Sequence, residues 1–345
     1  MMRLPQFRYR APRSIADAVA WLAEDPASAM IVAGGTDLLP NMKRRQQTPA
    51  TLIGLRGLRD QLAAIAETDG IVIGAGVTLT ELVASAQIRD GYRGLWQAAA
   101  QVATPHLRNM ATVGGNLCLD TRCTYYDQNF EWRQAINFCM KKDGDTCWVA
   151  TSSPRCLAVS SSDTAPMLQA LGATVTLASA AGTRKVPLAA FYANDGMHYL
   201  TKRPDELLTA ITVPPIGGWR SAYWKLRRRG SFDFPVAAAA VAVRLDGPRV
   251  IEARIVLGAV SSRPQAAEHA QQLLAGQALT DEIIDAAALA AGEPAKPMDN
   301  TDFELVWRKK MISALVGHAL REIRGDDVRA RRRQIARQEL LPGSI

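Results

Sequence analysis

The chain has 345 residues, 48% of them apolar and 21% charged, with a formal net charge of +8. That is enough for roughly two or three compact units, and the balance excludes a disordered chain, while no run of eighteen apolar residues offers a membrane span. The positive charge gathers in "NMKRRQQ" at 41–47, "KLRRRG" at 225–230 and "RRRQIARQ" near the C-terminus, without aromatic interleaving or zinc-finger spacing, so it reads as solvated surface rather than a nucleic-acid face.

In chain order, "MMRLPQFRYRAPRS" has no apolar core behind its charges and does not read as a secretory signal, so a cytoplasmic location is expected. Ser14 and Asp17 form a capping-box pattern that starts a helix with Ile15, Val19 and Leu22 on one face. The apolar strand of "AMIVAGGTDLLP" ends in a Gly-Gly turn, and "TLIGLRGL" gives a second short strand, completing a first unit over 1–57. A second unit, 58–216, opens on the hairpin "IAETDGIVIG", turning at Asp69-Gly70. Helices are expected near 79–87 and 91–103. "ATVGGN" at 111–116 reads as a strand-like piece broken by a second glycine pair. Helix and strand then alternate, with Gly and Pro stops, to residue 216. A third unit, 217–325, pairs two strands around Asp246-Gly247-Pro248 and continues with helices near 264–274, 280–291 and 302–323, an α+β order. A basic tail, 326–345, closes the chain.

Glycine pairs at 34–35 and 114–115 each follow an apolar stretch and each lie beside a threonine, Thr36 or Thr112. Glycine lets a ligand approach the backbone, and successive N–H groups in such a turn can hold phosphate oxygens. Two such turns point to one shared anion, such as a pyrophosphate. The usual dinucleotide fingerprint does not fit, because "GAGVTL" at 74–79 ends in Leu79, and no glycine loop is followed by a Walker lysine.

"IVAGGTDLLP", "ATVGGN", "SSDTAP" at 161–166, "DELLTAITVP" at 205–214 and "YWKLRRRGSFDFPVAAAAV" at 223–241, in this order, resemble the flavin-binding subunits of the molybdenum hydroxylase family. The resemblance implies an α+β fold: two subdomains holding FAD in an extended cleft, followed by a C-terminal α+β domain. It implies that Ile31, Val32, Ala33, Gly34, Gly35, Thr36 and Asp37, with Ala111, Thr112, Val113, Gly114 and Gly115, cradle the FAD pyrophosphate. It gives Asp163 to the adenosine ribose, Leu208 and Cys118 to apolar contact near the flavin, and Lys225 to the isoalloxazine carbonyl. Gly54 stands where an aspartate is common in the family.

All five cysteines lie between Cys118 and Cys156, in a region where the family has only a short connection from Asn116 to Asp163. An insert over about 117–160 therefore interrupts the flavin domain at the edge of its cofactor site. A loop this long needs an organiser, and its aromatic residues argue against disorder. Cys123, Cys139, Cys147 and Cys156, spaced x15, x7 and x8, lack zinc-knuckle spacing. Four dispersed thiolates beside a flavin favour a [4Fe–4S] cluster; zinc and redox-regulatory thiols stay as alternatives. Cys118 reads as a small buried hydrophobe, and Lys141-Lys142 as solvated.

An insert of this kind narrows the resemblance to the 4-hydroxybenzoyl-CoA reductase branch of the family. That branch implies chemistry at molybdenum on a molybdopterin-binding large subunit, a small subunit with two [2Fe–2S] clusters, and a dimer of heterotrimers. Electrons from ferredoxin would reach the cluster, then FAD, then the partner subunits. A flavin subunit serving NAD or a quinone and a zinc-organised assembly module remain as other readings. His106, His198, His269 and His318 show no metal-ligand spacing.

Overall fold

The computed structural model describes residues 3–337. Near the N-terminus, strands β1 (Arg8–Arg10), β2 (Ala29–Val32) and β3 (Thr51–Gly54) form a parallel sheet in the order β1-β3-β2. The helix Ile15–Glu24 crosses from β1 to β2. Its capping box is formed as the sequence predicts: Ser14 Oγ accepts from the Asp17 amide at 3.0 Å, and Asp17 Oδ2 accepts from the Ser14 amide at 3.0 Å. Ala18, Val19 and Leu22 bury the inner face.

A five-stranded antiparallel sheet follows, built from β4 (Ile65–Thr68), β5 (Gly70–Gly74), β6 (Thr174–Ser179), β7 (Gly182–Pro187) and β8 (Leu207–Val213), in the order β4-β5-β8-β6-β7. The third sheet is antiparallel too, ordered β12-β11-β10-β9, from β9 (Trp219–Leu226), β10 (Ala237–Asp246), β11 (Arg249–Gly258) and β12 (Gln265–Ala266).

The run "AAAAVAV" on β10 explains how the last two regions join. Side chains alternate across a strand. Ala238, Ala240 and Ala242 belong to the apolar core of the five-stranded sheet, whereas Ala237, Ala239, Val241 and Val243 belong to the core beneath the helices Glu268–Leu274, Asp281–Ala291 and Leu305–Arg324. Small residues on both faces let two layers approach one strand. The region after 217 therefore shares a core with the region before it.

Three local readings change. "ATVGGN" is the start of a helix, Val113–Leu117, and not a strand. Thr112 Oγ1 accepts from the Gly115 amide at 3.0 Å, and this cap outweighs the β preference of Thr and Val. The basic tail carries a helix, Arg329–Arg337, and Arg332 reaches back to the Tyr223 carbonyl and over the Trp224 ring; residues 338–345 lie outside the described residues. Gly54, which had no reading, faces Tyr9, whose hydroxyl fills the space a side chain would need. No helix among the described residues is long and apolar enough to cross a membrane.

Candidate functional site

The two glycine turns meet at a large cavity of about 760 Å³. Ile31, Val32, Ala33, Gly34, Gly35, Thr36 and Asp37 line it from the end of β2, and Ala111, Thr112, Gly114, Gly115 and Cys118 line it from the helix Val113–Leu117 and its flanks. Asp163 and Leu208 complete the predicted set on its wall. Bare backbone makes this meeting geometry available. A Cβ on Gly34 would overlap the Met110 carbonyl, just before the second turn, and one on Gly114 would sit 2.7 Å from the Ala75 Cβ. Gly35 has φ +70, which a side chain resists.

Two predicted residues do not reach the wall. Val113 is fully buried in the core behind it. Lys225 is 3% exposed and lies behind Asp163, with Nζ 2.8 Å from Asp163 Oδ2 and 3.1 Å from the Gln101 carbonyl. Tyr223 donates its hydroxyl to Asp163 Oδ1 at 2.7 Å. Burial pushes the Asp163 carboxyl above its ordinary range, with Lys225 and Tyr223 opposing the shift. Asp163 and Lys225 thus form one buried unit, with Asp163 on the cavity wall and Lys225 behind it.

The insert closes on itself where Arg122 and Val159 exchange backbone hydrogen bonds of 2.8 and 2.7 Å. Within it, Asn129 caps the helix Phe130–Ala135, and Asn137 and Phe138 both take left-handed backbone, at φ +60 and +59, immediately before Cys139. None of the five cysteines is in a disulfide. Cys123, Cys139, Cys147 and Cys156 are all buried, and together with Tyr126, Lys141 and Trp148 they line one small void. Burial pushes the Cys123 thiol up to about 12 and that of Cys156 up to about 11; Cys156 and Cys139 each add to the rise at Cys123, as facing thiols must. No group of three or more His, Cys, Asp or Glu side chains among the described residues is gathered to hold a metal ion. Cys118 stands apart on the cavity wall, its thiol raised by burial.

The void and the cavity share a wall. Arg122, Thr124 and Asp127 line the cavity while Cys123, between them in sequence, lines the void. Arg122 pairs with Asp37 of the first glycine turn and with Asp127 at 3.3 Å. From the C-terminal region, the Asn300 carbonyl accepts from the Thr124 amide at 3.0 Å and its Nδ2 donates to the Leu157 carbonyl at 2.6 Å, so one residue holds the neighbours of Cys123 and Cys156.

Two known protein families match this chain. An FAD binding domain in molybdopterin dehydrogenase matches residues 5–216, and a CO dehydrogenase flavoprotein C-terminal domain matches residues 221–323. The chain belongs to the molybdenum hydroxylase flavoprotein family. It is an FAD-binding oxidoreductase subunit. This flavoprotein is 32% identical to the aldehyde oxidoreductase FAD-binding subunit PaoB of Escherichia coli (strain K12), over 91% of this chain and 98% of that one. It is 31% identical to the carbon monoxide dehydrogenase medium chain of Afipia carboxidovorans, over 91% and 95%. Its fold matches that of reconstituted CO dehydrogenase from Oligotropha carboxidovorans with a TM-score of 0.76 at 30% identity, covering 94% of this chain and 99% of that one.

On this flavoprotein the insert is docked by a charge. Arg133 is fully buried and donates through Nη2 to the Arg44 and Arg45 carbonyls at 3.1 and 3.2 Å, beyond the first glycine turn. Arg133→Ala is expected to leave both carbonyls unpaired, to cost about 2–4 kcal/mol, and to raise proteolytic cleavage within 120–158 while the rest of the flavoprotein resists. Sequence reading missed Asp120, Arg122, Tyr199 and Lys202 on the cavity wall. For Asp120 and Arg122 a signal existed, since they flank the point where the insert leaves the second glycine turn.

Proposed function

We propose that this flavoprotein is the subunit through which electrons reach a molybdenum-dependent 4-hydroxybenzoyl-CoA reductase, with FAD in the large cavity and a [4Fe–4S] cluster on Cys123, Cys139, Cys147 and Cys156. One observation carries the reading: four free, buried thiols from separate points of one insert line a single void, and the residues on either side of Cys123 line the flavin cavity. Four cysteines without zinc-knuckle spacing, all in one insert beside the flavin cavity, support an iron–sulfur centre over zinc.

When bound, FAD and the cluster supply one- and two-electron carriage. This chain's residues hold and shield them. Ile31 to Asp37 and Ala111 to Gly115 offer backbone to the pyrophosphate, with Val113 anchoring its turn from the core. Leu208 and Cys118 give apolar wall. Asp163 offers a carboxylate fixed by Lys225 and Tyr223. The names of the relatives describe a FAD-binding subunit and a medium chain. On the same division of labour we assign molybdopterin to a large partner subunit, two [2Fe–2S] clusters to a small one, ferredoxin to the donor role, and a dimer of heterotrimers to the assembly.

Relatives named for aldehyde, carbon monoxide and nicotinate favour a second reading, in which the chain serves a hydroxylase that hands electrons to NAD or a quinone. Oxygen-free purification followed by iron, sulfide, zinc and flavin analysis tests these. Four irons and one FAD per chain are expected, as is ferredoxin-driven reduction of 4-hydroxybenzoyl-CoA by the whole complex. FAD without metal supports the second reading, and zinc without iron an assembly role.

A further inference from the structure

One buried ion pair stands in the wall between the void and the cavity. Lys141 lines the void, and Asp120 lines the cavity. Their side chains are 6% and 5% exposed, with Lys141 Nζ 2.8 Å from Asp120 Oδ1. The ammonium donates further to Thr121 Oγ1 at 2.7 Å and to the Gly196 carbonyl at 2.6 Å, which fills its three donors. The Tyr126 and Tyr199 rings face it with centroids at 4.8 and 5.2 Å. Tyr126 lines the void and donates its hydroxyl to Asp120 Oδ2 at 2.8 Å; Gln47 donates to the same oxygen at 3.1 Å. Two hydrogen-bonded routes, through Lys141 and through Tyr126, thus run from the thiol void to one carboxylate on the cavity wall. Lys141 is not the solvated charge that the sequence implied.

Burying a charged pair is costly, and an apolar pair would tie these segments together as well or better. The cost is explained if the charges act on something beside them. A four-iron centre on four thiolates is an anion, and its reduction adds one more negative charge without a proton. In a site of low dielectric, a fixed ammonium on the wall favours that reduced state, and a fixed carboxylate just behind opposes it. We infer that Lys141 and Asp120 are a potential-setting pair, which tunes the thiolate-bound centre and links it by hydrogen bonds to the flavin cavity. Both are positioning residues. The inference rests on the four-thiolate reading above.

The test is a mediated redox titration of the full chain without oxygen, followed by electron paramagnetic resonance. Relative to the wild type, the midpoint of the iron signal is expected to move negative in Lys141→Met, to stay close in Lys141→Arg, and to move positive in Asp120→Asn. Opposite signs from neighbouring substitutions are a result that loosened packing does not produce. Midpoints that move together, or not at all, in iron-loaded variants overturn the inference and leave the cluster reading intact. If Lys141→Met loses its iron, Asp120→Asn decides alone: an unchanged or more negative midpoint overturns the pair. A wild-type chain that holds flavin but no iron overturns the cluster reading, and this inference with it.

Discussion

On the proposed four-thiolate cluster, serine in place of Cys139 is expected to strip the iron from the chain while one FAD per chain remains. Ferredoxin-driven turnover should fall by more than the roughly 10–100-fold that loss of an outer-shell partner costs a metal site. The asymmetry comes from where the residue sits. Cys139 is 6% exposed in a loop with no slack: the Lys142 and Gly144 amides donate to its carbonyl at 2.9 and 3.1 Å, and the Met140 amide donates to the Thr146 carbonyl at 2.8 Å. The loop cannot bring another donor to the void, and a serine hydroxyl does not ionise to replace a thiolate. The glycine turns lie outside this loop, so flavin should survive. Cys118→Ser is the matched control: Cys118 lines the cavity and not the void, and iron should be retained. Turnover with ferredoxin that persists in an iron-free Cys139→Ser chain would remove the relay from the mechanism.

The sequence revealed what depends on local pattern. The Ser14 box, the Asp69-Gly70 hairpin and the two strands around Asp246-Gly247 follow from capping, turn chemistry and alternation. The glycine pairs identified the cavity because close backbone approach needs glycine whatever surrounds it. Long-range charge pairing was hidden. Asp120 and Lys141 are 21 residues apart, and counted as a string the acids and bases of the insert balance like any solvated surface. Only the fold shows that this pair is buried and that it stands between two sites. The same holds for Asp163 and Lys225, 62 residues apart; each looked like a separate contact to one cofactor, and the fold makes them one unit. At Thr112 the failure was of another kind. A capping threonine and a strand threonine look alike until the next turn forms.

Gly34→Ala should be the most damaging single change to flavin binding, and its neighbour Gly35→Ala a milder one, although both remove a glycine from the same turn. The added methyl at Gly34 meets backbone, the carbonyl carbon and oxygen of Met110, so no side-chain rotation relieves it. The two turns must separate, and a ligand held by both loses one of its walls. At Gly35 the methyl meets the end of the Leu39 side chain at 2.9 Å, which can turn away, and the remaining cost is that of left-handed backbone, about 1–2 kcal/mol. With about 1.4 kcal/mol per tenfold in affinity, Gly35→Ala should weaken FAD binding on the order of tenfold, and Gly34→Ala by clearly more, yielding a chain purified without flavin. Fluorescence titration of FAD into apo chains measures both. Far-ultraviolet circular dichroism and thermal unfolding of the apo chains report whether each variant is folded. A Gly34→Ala chain that binds FAD as tightly as the wild type would mean that the turns meet for a packing reason alone, and the pyrophosphate would have to be sought elsewhere in the cavity.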